Sequence, residues 1–168
     1  MCSRHPVWSG GLLVITKSVR ILRDMSRPPR LQSIHEQNKP ISYFVTWCVE
    51  GKVAVLDNDS YFSALKTAIR QADRWEIETV MIMPDHVHLL ASPFHRDESV
   101  GKLAGFLKKR SRHLCRGTWQ WQQGTFDHML RSDESGRQKW EYIRQNPVRA
   151  GLVAASQDWP YQIGFSSM

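Results

Sequence analysis

Val80-Met81-Ile82-Met83-Pro84-Asp85-His86-Val87-His88-Leu89-Leu90 is the stretch on which the reading of this chain turns. Ile77 to Met83 and Val87 to Ala91 are apolar, partly β-branched runs that read as strands, and Pro84-Asp85 between them suits a short turn or bulge. Strands so near in sequence pair antiparallel. Residues two apart on a strand share a face. His86 and His88 therefore project side by side, while Val87 and Leu89 point the other way, into a core.

Working outward, Ile41 to Val49 is rich in β-branched and aromatic residues and reads as a preceding strand. Asp57-Asn58-Asp59-Ser60 can cap a helix from about Tyr61 to Arg74, in which Phe62, Leu65, Ala68, Ile69 and Ala72 recur at helical spacing. Gly101 to Cys115 reads as a second helix, with Leu103, Phe106, Leu107 and Leu114 as its buried side. Trp119 to Met129 is aromatic and extended. Asp133 to about Gln145 reads as a third helix, capped by Ser132 or by a Ser135/Gln138 capping box; Pro147 ends it and Gly151 sits in the turn beyond. This order predicts an α+β fold, an antiparallel sheet with helices packed on one face.

The chain carries 168 residues, enough for one domain with a real core. Residues 1–40 differ from the rest. They hold Gly10-Gly11, Pro28-Pro29 and many arginines, and read as a loose basic arm ahead of a domain over 41–168. Met25 offers a second possible start, which would leave residues 1–24 outside the native protein. No apolar run approaches a membrane span or a signal-peptide core, so an intracellular soluble protein is expected. Cys2, Cys48 and Cys115 are odd in number and form no CxxC pair, which signals neither a disulfide framework nor a cysteine zinc site. The net charge is +7 and the pI about 9.6, which draws the chain toward polyanions, nucleic acid first.

Two features carry chemistry. Paired imidazoles on one strand face are natural ligands for a divalent ion, though two histidines satisfied by local hydrogen bonds would give the same pattern. Within Tyr142-Ile143-Arg144-Gln145-Asn146-Pro147, residues four apart stack on one helix face, so Tyr142 and Asn146 would point into one site. The Asn oxygen can be a neutral third ligand and the Tyr oxygen a nucleophile. The alternative is a core tyrosine and a helix-end asparagine. A metal held this way keeps open positions for a phosphate oxygen and can stabilise in-line displacement at phosphorus. Positive charge from the metal, Arg144 or Arg149 would favour phenolate at Tyr142.

Met83-Pro84-Asp85-His86-Val87-His88-Leu89-Leu90 resembles the HUH motif of single-tyrosine transposases. The stretch from Trp140 to Val153 resembles their nucleophile helix, most closely in the REP-associated tyrosine transposase branch. Tyr43 to Thr46, Phe126-Asp127-His128 with Arg131, Trp159-Pro160 and Ser166-Ser167 also fit, and the resemblance spans about residues 41 to 167. Tyr161 to Phe165 departs from the pattern. The resemblance implies a ferredoxin-like fold, Tyr142 as nucleophile, and His86, His88 and Asn146 holding magnesium or manganese, although imidazoles would suit zinc, cobalt or nickel equally. It implies a bacterial, cytoplasmic and nucleoid-associated enzyme, monomer or homodimer. That enzyme cuts and rejoins single-stranded DNA beside hairpins through a 5'-phosphotyrosine.

Lys108, Lys109, Arg110 and Arg112 form a basic helix face that could track phosphates, or a merely solvated one. Trp119 and Trp121 would share a strand face and stack unpaired bases, or pack in the core. Arg131, Arg144 and Arg149 lie near the nucleophile in sequence and could steady the scissile phosphate. His113 and Cys115 are two apart on a helix and point in different directions, which speaks against a metal pair. Two other classes compete with the cleaving enzyme. One is a repressor that binds hairpin DNA or RNA without cutting; the other is a metallohydrolase that uses activated water.

Overall fold

The chain divides into two units, Met1–Glu36 and Gln37–Met168. The computed structural model describes residues 41–130 and 133–165. The expected basic arm, the Ser132 cap, Arg131 and the final serines lie outside the described residues.

The element order is β1 (Ser42–Cys48), α1 (Asp59–Arg70), β2 (Trp75–Ile82), β3 (His86–Pro93), α2 (Val100–Leu114), β4 (Phe126–Leu130), α3 (Asp133–Arg144), α4 (Asn146–Arg149) and β5 (Gln162–Ile163). The strands form one sheet in the order β4-β1-β3-β2-β5, every neighbouring pair antiparallel. The first four strands with α1 and α2 follow a β-α-β-β-α-β path, so the expected α+β, ferredoxin-like sheet is found. The tail that departs from the family pattern supplies β5, which pairs with β2. Gly164 follows it with φ +77, and a Cβ there would stand 2.0 Å from the Glu78 carbonyl oxygen, so only glycine fits.

Strand alternation sorts side chains to two faces. Val45, Trp47, Val80, Val87 and Leu89 meet Tyr61, Leu65 and Ala68 of α1 and Leu103, Ala104 and Leu107 of α2 in the main core. Phe44, Met81, Met83, Leu90 and Leu130 form a smaller cluster on the other face, closed by Ile143 of α3 and by Trp159. Helices α1 and α2 thus make the packed layer on one face, and α3 crosses the opposite one.

Local chemistry sets the ends. Asn58 caps α1 by accepting the Tyr61 N–H at 2.9 Å, as the Asp/Asn/Ser run implied. That helix stops at Arg70, four residues before the sequence estimate, and β2 starts at Trp75, two residues before it. Ser99 caps α2. Two of the four residues assigned to the buried side of α2 are not buried: Phe106 is 40% exposed and Leu114 37% exposed. Ala104 and Ser111 take their place, because a serine can hide on a helix by donating back to the carbonyl four residues earlier, here Leu107 at 2.6 Å.

Leu107→Ala should destabilise by about 2–5 kcal/mol, the usual result of emptying a closed core position. Phe106→Ala should change stability by less than about 1 kcal/mol. Urea unfolding monitored by circular dichroism measures both, and equal losses would refute this assignment of the α2 faces.

Candidate metal and nucleophile site

The register of β1 against β3 builds the site. Thr46 stands opposite His88, and Cys48 opposite His86. His86, His88, Thr46 and Phe44 all fall on the α3 face, since their neighbours Val45, Trp47, Val87 and Leu89 point into the main core.

The two imidazoles are held in a definite way. His86 Nδ1 lies 2.5 Å from Asp85 Oδ1. A carboxylate only accepts, so this nitrogen carries a proton. His88 Nδ1 lies 2.7 Å from Thr46 Oγ1. The two Nε2 atoms face each other at 3.1 Å. Orienting partners on the outer nitrogens, with the inner nitrogens turned toward one point, match the usual support of metal-binding histidines, although here the two inner nitrogens hydrogen-bond each other. Two adjacent ligands of an octahedral ion at about 2.1 Å stand about 3.0 Å apart, close to the separation seen here. A cation between them requires the His88 proton on Nδ1, donated to Thr46. His88 is buried, and that burial, reinforced by His86, Arg149 and Lys139, pushes its pKa down to about 3, so the ring is neutral as a ligand must be.

Phe44 ties the histidines to the helix. Its ring stacks on His88 with centroids 5.4 Å apart and meets Tyr142 edge-on at 6.2 Å. The Tyr142 ring lies 6.1 Å from the His88 ring and is 42% exposed. Arg149 places its guanidinium 4.2 Å above the Tyr142 ring, and Lys139 Nζ stands 5.5 Å from that ring. Arg149 Nη2 also donates to the Tyr142 carbonyl and to Asn146 Oδ1, each at 3.1 Å. Asn146 Nδ2 is buried without a partner, which marks an amide not yet satisfied by its surroundings. Among the described residues no three His, Cys, Asp or Glu side chains gather as a metal site. Any further ligand would have to be of another kind, and the amide oxygen expected for that role, Asn146 Oδ1, is held here by Arg149.

The other expected residues lie elsewhere. Arg144 is occupied by Glu141, through two bonds of 2.9 Å, and by Ser156. On the opposite layer, Lys108 Nζ donates to the Gln122 and Gly124 carbonyls at 2.8 and 2.9 Å, and burial lowers its pKa. Arg112 donates to the Trp119 carbonyl and to Gln120, and Arg110 to Gln71. Lys109 is exposed on the same helix. Trp119 and Trp121 pack on Tyr61 at 5.8 and 6.0 Å, half-buried against the main core. The α2 residues and the two tryptophans do not join the histidines, because α2 covers the other face of the sheet. Sequence reading gave no site role to Phe44, Thr46, Asp85 or Lys139, although Tyr43 to Thr46 and Asp85 lie in the stretches that carry the family resemblance.

Comparison with known proteins places the chain in a family. A family model described as Transposase IS200 like matches residues 37–145, and the chain belongs to that family. A Haemophilus influenzae relative provisionally assigned as a REP-associated tyrosine transposase is 28% identical over 136 residues, 71% of this chain and 77% of that protein. The REP-associated tyrosine transposase of Escherichia coli strain K12 is 28% identical over 103 residues, 60% of this chain and 62% of that protein. The chain therefore spans less than two thirds of the latter. A solved structure of a REP-associated tyrosine transposase bound to a REP hairpin shares the fold, with TM-score 0.62 and 23% identity over 77% of this chain and 82% of that one. No helix among the described residues is long and apolar enough to cross a membrane.

Thr46→Val keeps the side-chain shape and removes the hydroxyl facing His88. It should weaken Mn2+ binding about 10- to 100-fold, read by titration calorimetry, with the unfolding midpoint little changed. Unaltered affinity would mean that Thr46 does not orient the ring.

Proposed function

We propose that this chain cleaves and rejoins single-stranded DNA beside a hairpin, with Tyr142 as nucleophile and a divalent ion, magnesium or manganese, held by His86, His88 and Asn146. The observation that carries the reading is the pair of imidazole Nε2 atoms 3.1 Å apart, within ring contact of an exposed tyrosine. Membership of the IS200-like transposase family supports it, and the hairpin named with the structural neighbour suggests the substrate.

A bound divalent ion polarises the scissile phosphate and offsets the charge that grows during displacement. The chain's own residues do the rest. Tyr142 attacks phosphorus through its oxygen, forming the Tyr–O–P bond and breaking the P–O3' bond. The phenol proton passes to solvent, and the departing 3' oxygen takes up a proton to become a hydroxyl. The diester count is conserved, so the reverse step rejoins DNA without ATP. Arg149 and Lys139 flank the ring and place positive charge where the phosphate arrives. Their attraction for the strand falls as salt rises.

Incubation with an end-labelled DNA hairpin bearing a single-stranded flank, plus manganese, should yield a covalent protein–DNA band. Tyr142→Phe should remove that band entirely. Cleavage that persists in Tyr142→Phe, with no adduct from either protein, would assign the reaction to activated water instead. His86→Ala and His88→Ala should abolish cleavage while hairpin affinity, measured by fluorescence anisotropy, stays within a few-fold. Collapse of binding in folded variants would make the histidines recognition residues.

A further inference from the structure

Phe126 is 61% exposed, the highest value among the exposed large apolar side chains of the described residues, and it sits on the outer strand β4. Its Cα partner on β1 is Thr46, whose own partner on β3 is His88. Directly opposed residues share a face, so Phe126, Thr46 and His88 form one row across the α3 side of the sheet. The Phe126 ring meets Phe44 edge-on at 6.2 Å, and Phe44 meets Tyr142 at the same 6.2 Å, so the Phe126 and Tyr142 rings are at most twice that distance apart. Isolated surface phenylalanines need no explanation. This one is the open end of a continuous aromatic run that begins at the proposed nucleophile.

We infer that Phe126 is a base-stacking platform: an unpaired nucleobase of the strand threaded past Tyr142 lies on its open face. The inference rests on the single-stranded DNA reading above and adds a binding residue to it. Three features favour a nucleobase as the occupant. Lys139 and Arg149 stand over the same aromatic run and complement a phosphate backbone. Phe44 is 5% exposed and closed to a base, so besides the Tyr142 nucleophile itself the open ring of this run is Phe126. An aromatic face accepts any base, because every base presents a π-face. Trp119 and Trp121, which the sequence offered for this task, are already packed against Tyr61.

The test uses Tyr142→Phe protein, which binds without reacting, and a fluorescein-labelled DNA hairpin with a single-stranded thymidine flank. Each flank position is replaced in turn by an abasic site, and affinity is read by anisotropy. One abasic position should weaken binding about 5- to 150-fold. Adding Phe126→Ala should lose a similar factor on the intact flank and become indifferent to that position. Phe126→Trp should restore both affinity and the position-specific penalty. Phe106→Ala, an exposed phenylalanine on the opposite layer, should behave as the parent protein. The platform is refuted if Phe126→Ala binds the intact flank as tightly as the parent, or if it suffers the same penalty at every abasic position. A Tyr142-dependent covalent band with no Phe126 coupling removes the platform and leaves the cleavage reading standing. Coupling without any covalent band does the reverse, and no affinity for the flanked hairpin removes both.

Discussion

The register between β1 and β3 is the constraint on which the rest depends. It sets Thr46 against His88 and Phe44 beside it, on a face that the main core does not use. Side chains alternate strictly along a strand, so a slip of one residue would exchange faces along the whole pair. Val87 and Leu89 would then meet α3, and both imidazoles would enter an apolar layer with nothing to accept their protons. The core on the other side opposes that slip: Val45, Trp47, Val87 and Leu89 have almost no exposed surface, and withdrawing Val87 and Leu89 would bring the imidazoles into their closed places. The geometry of the site is thus fixed by packing on the face it does not occupy.

That arrangement divides labour between the layers. Helices α1 and α2 form the closed layer that stabilises the sheet, and two basic residues of α2 are drawn toward it. Lys108 and Arg112 spend their donors on carbonyls of the segment from Trp119 to Gly124, which has no regular ladder of its own to satisfy them. The Trp121 indole N–H returns a bond to the Lys108 carbonyl at 2.9 Å. A loop crossing a helix needs such partners, and long cationic side chains can supply them while burying their stems. The α3 layer is thinner and leaves Phe126, Tyr142 and Arg149 open on the face that carries the histidines.

This division explains what the sequence made legible. Periodicity and turn chemistry gave β1, β3, α1, α2 and α3 to within a few residues, because local pattern and tertiary packing agree there. The His-x-His spacing alone put both rings on one face. Which face, and what stands beside it, depends on partners from distant strands: Thr46 lies forty-two residues from His88, and no local signal links them. The partners of the basic stretch of α2 were hidden for the same reason. Charge is visible in sequence, but whether a lysine meets solvent or a backbone carbonyl is decided by what lies across from it. Phe106 and Leu114 fit the apolar spacing of α2 at the edge of its buried stripe, where a few tens of degrees of rotation separate core from solvent.

The helix around the tyrosine shows how a sequence signal can be right in kind and incomplete in consequence. Pro147 marks a break, as expected, but the chain does not simply leave the helix. Helix α3 ends at Arg144, Gln145 bridges with φ −84 and ψ −3, and α4 begins at Asn146 with proline in its first turn, where a missing N–H costs nothing. Arg149, seven residues on, sends its guanidinium back to the Tyr142 carbonyl and lays it over the tyrosine ring. The same nitrogen bonds Asn146 Oδ1. One planar cation therefore links the backbone and ring of Tyr142 to the side chain of Asn146. A lysine could supply charge there but not a flat fork that stacks and donates together. The two residues that sequence spacing placed on a common helix face are held together across a break between two helices, and an arginine side chain makes the connection.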